Sequence, residues 1–302
     1  MNTASPLAFG CMQFGGRADA QAARAMYDAA RAAGITHFDT AHVYTDGQSE
    51  RLIGEFAQGD AAVTLATKVG YDGGAGRANL TAQFDESLRR LGTDAVDLIY
   101  LHRFDPHTSL EETIGLFVEW QAAGRIARIG LSNFAAWQVM KAQAVAARFG
   151  SRIDVIQPMY NLVKRQVEVE LLPMCADQEI AVHAYSPLGG GLLTGKYASG
   201  GVGRLSEDSR YAARYAPEAM HKAATGLAAL AAELGTHPAT LAVAWAMSCP
   251  ITPVIPLISA RDTAQLAPSL AALTVPMTAD LRARLSALYP APPPATDRLE
   301  EE

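Results

Sequence analysis

The strongest constraint on the fold of this chain is a repeated alternation of short apolar runs with helical stretches. Eight runs read as buried strands, at 7–11, 35–38, 63–67, 96–101, 126–131, 153–156, 180–185 and 253–258. Stretches with helical spacing follow them at 19–33, 49–58, 80–91, 110–123, 137–149, 167–177, 218–234 with 238–247, and 264–270 with 279–288. Gly34, Gly59, Gly92, Gly124 and Gly150 stand where C-cap glycines belong. The units recur about every 30 residues, without a break in composition that would mark a linker. That pattern predicts a single-domain (β/α)8 barrel, the TIM-barrel architecture, over residues 1–289. A doubly wound open sheet is the competing arrangement. Residues 290–302 open on Pro290-Ala291-Pro292-Pro293-Pro294 and are expected to form a mobile tail.

Of the 302 residues, 49% are hydrophobic, ample for one large core. The formal net charge of −6 argues against a nucleic-acid or anionic-membrane partner. Three widely separated cysteines without a CxxC suit reduced thiols and offer no disulfide framework. No apolar run is long enough to span a membrane, and residues 1–6 do not read as a signal peptide, so a soluble cytoplasmic protein is expected. The histidines show no metal-ligand spacing, and Trp120, Trp137 and Trp245 are expected to pack from helices onto the barrel.

In such a barrel the C-terminal strand ends meet on one face, where sites are built. The strand ends here are Cys11-Met12, Asp39, Lys68, His102, Ser132-Asn133, Gln157, Tyr185-Ser186 and Ser259-Ala260-Arg261. Apolar strands that repeatedly end in polar groups point to one shared site. Tyr44, five residues past Asp39, holds its proton at neutral pH and can donate it. A lysine ammonium beside it stabilises the phenolate, and Lys68 can supply that charge. Asp39 can hold Lys68 charged and aimed, and His102 can hydrogen-bond an oxygen that gains charge. These four residues suit protonation of a carbonyl oxygen as hydride reaches its carbon. Ser132, Asn133 and Gln157 are neutral partners for a carboxamide, and Tyr185 offers a flat face to a ring.

The chain resembles the aldo-keto reductases from Leu7 to about Leu273. The resemblance is carried by Phe38-Asp39-Thr40-Ala41-His42-Val43-Tyr44, Ala66-Thr67-Lys68, Asp97-Leu98-Ile99-Tyr100-Leu101-His102 and Ile129-Gly130-Leu131-Ser132-Asn133-Phe134, and by the run from Tyr185 to Lys196. It is most similar to the bacterial branch that also includes the potassium-channel β subunits. The resemblance implies NADPH-dependent reduction of an aldehyde or ketone, with Tyr44 as proton donor and Asp39, Lys68 and His102 completing a tetrad. It further implies that the cofactor meets Met12, Asp39, Ser132, Asn133, Gln157, Tyr185, Ser186, Pro187, Leu188, Gly189, Gly190, Lys196, Ser259, Arg261 and Gln265. The long segment 188–217 would close over the pyrophosphate, and Arg261 would pair with a 2′-phosphate. Ser259, Pro268 and Ser269 depart from the family's usual Gly, Glu and Asn, so NADH remains an alternative cofactor. Arg204 and Arg210 are both candidates for a phosphate contact.

The run Gly190-Gly191-Leu192-Leu193-Thr194-Gly195-Lys196-Tyr197 nearly matches a P-loop, but Tyr197 stands where Ser or Thr should coordinate magnesium. No G-x-G-x-x-G follows a strand, so a Rossmann domain is unsupported. Two rival readings are an NADPH-holding redox sensor with weak turnover and a Schiff-base aldolase using Lys68. The second needs a neutral lysine, against which Asp39 works. Substrate identity and oligomeric state are not legible.

Overall fold

A computed structural model of the chain describes residues 5–296. Eight parallel strands close into one barrel in sequence order: β1 Ala8–Gly10, β2 His37–Asp39, β3 Thr64–Val69, β4 Val96–Leu101, β5 Ile126–Ser132, β6 Val155–Gln157, β7 Ala181–Ala184 and β8 Val254–Ile258. Closure is made by β1 against β8, with Ala8 opposite Leu257 and Phe9 opposite Ile258. A closed barrel has no edge strands, which excludes the open sheet. The helices are α1 Ala20–Ala32, α2 Gln48–Ala57, α3 Arg77–Leu91, α4 Leu110–Ala122, α5 Ala136–Arg148, α6 Leu171–Asp177, α7 Arg204–Glu207, α8 Ser209–Arg214, α9 Glu218–Glu233, α10 Pro238–Met247, α11 Thr263–Leu270 and α12 Ala279–Ser286.

Alternate strand residues face opposite ways. Outward, Phe9 and Phe38 join Phe14, Tyr27 and Phe56 in an aromatic cluster, with Tyr27 and Phe38 ring centres 4.8 Å apart and Phe14 and Phe56 6.1 Å apart. Burying a Phe side chain contributes about 2–3 kcal/mol. The cluster fixes β1 and β2 against α1 and α2, the elements that flank residues 40–47.

Inward, Ala66, Leu98, Tyr100 and Val155 from β3, β4 and β6 form a small apolar cluster. Gly130 on β5 is needed beside it, because a Cβ there would stand 2.4 Å from Tyr100 Cδ1. Tyr100 Oη lies 3.0 Å from His183 Nδ1, and the His183 ring meets His37 edge-on at 4.7 Å. This layer is the floor of the site.

Two expectations need correction. The helix read over 167–177 begins only at Leu171, after a separate 3-10 turn at Gln166–Glu168. Pro173 then falls in the first helical turn, the one part of a helix that tolerates its missing N–H. Trp120 and Trp245 are buried, but Trp137 is 61% exposed. The buried stripe of α5 is Val139, Ala142, Val145 and Ala146, and Trp137 points away from it. Segment 188–217, read only as one long segment, is a chain of short turns and helices. Of the expected tail, residues 297–302 lie outside the described residues. Among the described residues no single helix is long and apolar enough to cross a membrane.

Candidate active site

Parallel register places Asp39 opposite Ala66, so Lys68, two residues further along β3, leans over the same inner face. Its ammonium donates to Asp39 Oδ1 and, at 2.7 Å, to the Thr40 carbonyl. The other carboxylate oxygen accepts from Gln157 Nε2 across the barrel at 2.8 Å. Lys68 and Asp39 are 1% and 2% exposed. Removing one partner of such a buried pair costs about 3–5 kcal/mol. Burial alone would lower the Lys68 pKa, but Asp39 reverses that, and the ammonium is held charged.

Tyr44 opens a 3-10 turn, Tyr44–Gly47, between β2 and α2. Lys68 Nζ lies 5.0 Å from the centre of its ring, and the His102 ring meets it edge-on at 5.8 Å. Burial pushes the Tyr44 phenol above its usual value, while the Lys68 charge pulls it back. Burial, with Lys68 and Arg103, depresses the His102 pKa to about 3, so the imidazole is neutral at pH 7. Its Nδ1 is buried without a partner. The four residues singled out in the sequence are therefore brought together, with Tyr71 edge-on to His102 at 4.9 Å.

Beside them lies a polar shelf. Asn133, in left-handed backbone at φ 59°, donates from Nδ2 to the His102 carbonyl and to Ser132 Oγ, both at 3.0 Å. Ser132 Oγ donates to the Gln157 carbonyl at 3.0 Å, and Tyr185 Oη donates to Asn133 Oδ1 at 2.6 Å. Gln157 departs from its expected role in one respect, since its amide nitrogen is engaged by Asp39. Asn161, missed in the sequence, donates to the Ser186 carbonyl at 2.9 Å and braces the turn after β7. A polar residue four positions past the end of β6 was the only signal for it. Met12, 39% exposed, stands beyond the end of β1.

Further round the rim, Ser186, Pro187 and Leu188 lead into the glycine turn, where Gly189, Gly190 and Gly191 all have positive φ. A Cβ on Gly190 would stand 2.8 Å from the Tyr211 ring. Lys196 lies among cations, because Arg261, Arg17 and Arg204 all lower its pKa after burial, while Glu207 raises it. Glu207 in α7 pairs with Arg17 at 2.8 Å and with Arg261 at 3.2 Å. Arg17 and Glu207 were not anticipated, since each reads as an ordinary surface charge far from the other in sequence. Arg204 donates to Tyr211 Oη at 3.1 Å, whereas Arg210 is 75% exposed and pairs with Asp208. Of the two candidates, Arg204 is thus the one brought to this cluster. Gln265 Oε1 accepts from the Arg261 backbone N–H at 3.4 Å, and Ser259 Oγ is buried without a partner.

The arrangement joins a proton donor, a held ammonium and a neutral imidazole to a polar shelf and a cationic rim. It can protonate an oxygen and bind an extended anion. Among known proteins, the chain is 39% identical over 195 residues to aflatoxin B1 aldehyde reductase member 2 of Rattus norvegicus, covering 62% of this chain and 53% of that protein. The chain thus spans about half the length of that relative. It is 34% identical over 310 residues to the uncharacterized oxidoreductase YrpG of Bacillus subtilis (strain 168), covering 95% and 93% of the two chains. It is also 34% identical over 272 residues to a probable voltage-gated potassium channel subunit beta of Oryza sativa subsp. japonica, covering 82% and 80%. The model of the Aldo/keto reductase family matches residues 6–290, and the chain belongs to that family.

Proposed function

We propose that the protein reduces an aldehyde or ketone to an alcohol, with NADPH as reductant and Tyr44 as proton donor. The observation that carries this reading is the Tyr44 ring set against a lysine that Asp39 keeps charged, with His102 neutral beside both. Reduced nicotinamide, when bound, supplies a hydride to the carbonyl carbon. The residues of the chain do the rest. Tyr44 delivers its proton to the carbonyl oxygen, and Lys68 stabilises the phenolate that remains. His102, neutral and beside the Tyr44 ring, hydrogen-bonds and orients that oxygen. Asp39 and Gln157 keep Lys68 aimed.

The residues present fit a phosphorylated dinucleotide. Asn133 and Tyr185 are suited to the nicotinamide end, and the unpartnered Ser259 Oγ is a free polar group on the phosphate side. Arg17, Lys196, Arg204 and Arg261 supply positive charge near one another, which favours the 2′-phosphate form over NADH. A Schiff-base role for Lys68 is disfavoured, because its nitrogen must be neutral to attack and Asp39 holds it charged.

The test is NADPH oxidation over a panel of aldehydes, comparing the parent with Tyr44→Phe. Loss of the proton donor should lower kcat by about 100-fold or more while NADPH still binds. Full activity in the variant would sink the assignment. NADPH binding without turnover on any carbonyl would favour the sensing reading, and borohydride trapping of an adduct on Lys68 the aldolase.

A further inference from the structure

Behind the tetrad, on the side away from the pocket, lies a second buried ion pair that the chemistry above does not use. Glu50 in α2 is fully buried. Its Oε1 accepts from Thr67 Oγ1 at 2.6 Å, and its Oε2 faces Arg90 NH1 of α3 at 3.2 Å. The same NH1 donates to the His42 carbonyl at 2.9 Å, and Arg90 Nε bonds Glu86 at 2.7 Å. The guanidinium also lies on the backbone of Gly47, where a Cβ would stand 2.5 Å from Arg90 Cζ. Arg90 thus grips the chain two residues before Tyr44 and three residues after it. Through Glu50 and Thr67 the grip extends to the residue next to Lys68 on β3.

The gripped segment is one that needs holding. After Tyr44 come three consecutive left-handed residues, Thr45 at φ 47°, Asp46 at φ 53° and Gly47 at φ 83°. Only glycine adopts that conformation freely, so the turn carries strain and persists because its surroundings over-determine it. On one side Thr45 Oγ1 donates to the Phe14 carbonyl at 2.7 Å, and Ser49 Oγ to the Cys11 carbonyl at 2.8 Å. On the other side is a cleft of about 330 Å³, lined by His42, Val43, Asp46, Asp72, Gln83 and Arg90. The turn therefore has room to relax outward, and Arg90 is the charged side chain that bridges it to the strand carrying Lys68.

We propose that Arg90 is a positioning residue for the Tyr44 phenol, acting through the Glu50 carboxylate and the His42 carbonyl. It touches no reacting atom. It sets the spacing between Tyr44, on the strained turn, and Lys68, on β3. A guanidinium suits this role because NH1 meets Glu50 and the His42 carbonyl while Nε, held in the same plane, bonds Glu86, and a lysine has only one nitrogen to offer.

The kinetic part of the test rests on the carbonyl-reductase reading, and the exchange part does not. Arg90→Lys keeps a positive charge for buried Glu50 but loses the fork, and Glu50→Gln is a second variant that removes the acid. Both are compared with the parent by steady-state kinetics with 4-nitrobenzaldehyde, NADPH fluorescence titration, the solvent deuterium isotope effect on kcat, and hydrogen–deuterium exchange by mass spectrometry. Arg90→Lys is expected to lower kcat about tenfold and to enlarge the solvent isotope effect, with the NADPH Kd within about twofold of the parent. Exchange should quicken in peptides covering 40–50 and stay unchanged elsewhere in the barrel. Unchanged exchange over 40–50 overturns the inference, as does a kcat within about twofold of the parent. Kcat, NADPH affinity and Tm falling together, with exchange rising throughout, would mark a general structural role and also overturn it. If the parent turns over no carbonyl, the functional reading fails, and the exchange result alone decides the role of Arg90.

Discussion

The two halves of the rim are built in opposite ways. On the side of β2, β3 and β4, contacts are buried and charged. Lys68 and Asp39 are out of water, Gln157 closes the remaining carboxylate oxygen, and Glu50 with Arg90 locks the turn that carries Tyr44. On the side of segment 188–217, the chain is glycine turns and short helices, held across the rim by Glu207 to Arg17 and Arg261, each about a third exposed. Exposed pairs of that kind contribute about 0–1 kcal/mol. One side holds Tyr44 in a fixed setting. The other is held by contacts that cost little to release and re-form.

Acid should separate the two sides most strongly. Burial depresses both His183 and His102 to about 3, against an ordinary value of 6.5. Below pH 6.5 the unfolded chain takes up these protons and the folded one does not. Stability should therefore be flat above pH 6.5 and fall continuously from there to about pH 3, by up to about 5 kcal/mol per ring. Urea unfolding at stepped pH measures this, and a stability that rises on acidification over that range would contradict it. Lys68→Met is next in size. It strands Asp39 as a buried unpaired charge, so unfolding free energy should fall by about 3–5 kcal/mol, with the proposed reductase activity lost. An unchanged Tm would mean that Gln157 alone satisfies the carboxylate. The smallest effect is expected across the rim. Glu207→Gln should change stability by no more than about 1 kcal/mol. By freeing Arg17 and Arg261 it should tighten NADPH binding a few-fold at low salt, with the gain shrinking as salt rises. Weaker binding would show that Glu207 helps to hold the ligand rather than competing with it.

This contrast also marks what could be read from the sequence. The barrel was legible because buried parallel strands are continuous apolar runs and helix ends carry glycine. Asp39, Lys68 and His102 were legible because each is an ionisable residue at the end of such a run. Tyr44 followed from its distance to Asp39. The supports were not legible. Glu50 and Arg90 lie in amphipathic helices where charge ordinarily means solvent, and nothing local says that this face turns inward. Arg17 and Glu207 meet only through closure of the barrel. Trp137 is exposed because it is out of phase with Val139, Ala142 and Ala146, and size and apolarity alone do not show that phase. Gln157 was seen as polar and well placed, but its aim toward Asp39 is set by a contact across the barrel that no strand pattern encodes.

The bond from the Tyr185 hydroxyl to Asn133 has a consequence of its own. Asn133 is already committed at both ends, its nitrogen to His102 and Ser132 and its oxygen to Tyr185. That oxygen has two lone pairs and the phenol takes one, so a donor group arriving there either uses the second or displaces the Tyr185 hydroxyl. Only the second route gives up an existing bond, and it gains no more than the difference between two hydrogen bonds. The amide is thus oriented before anything meets it, with half of its accepting capacity still open.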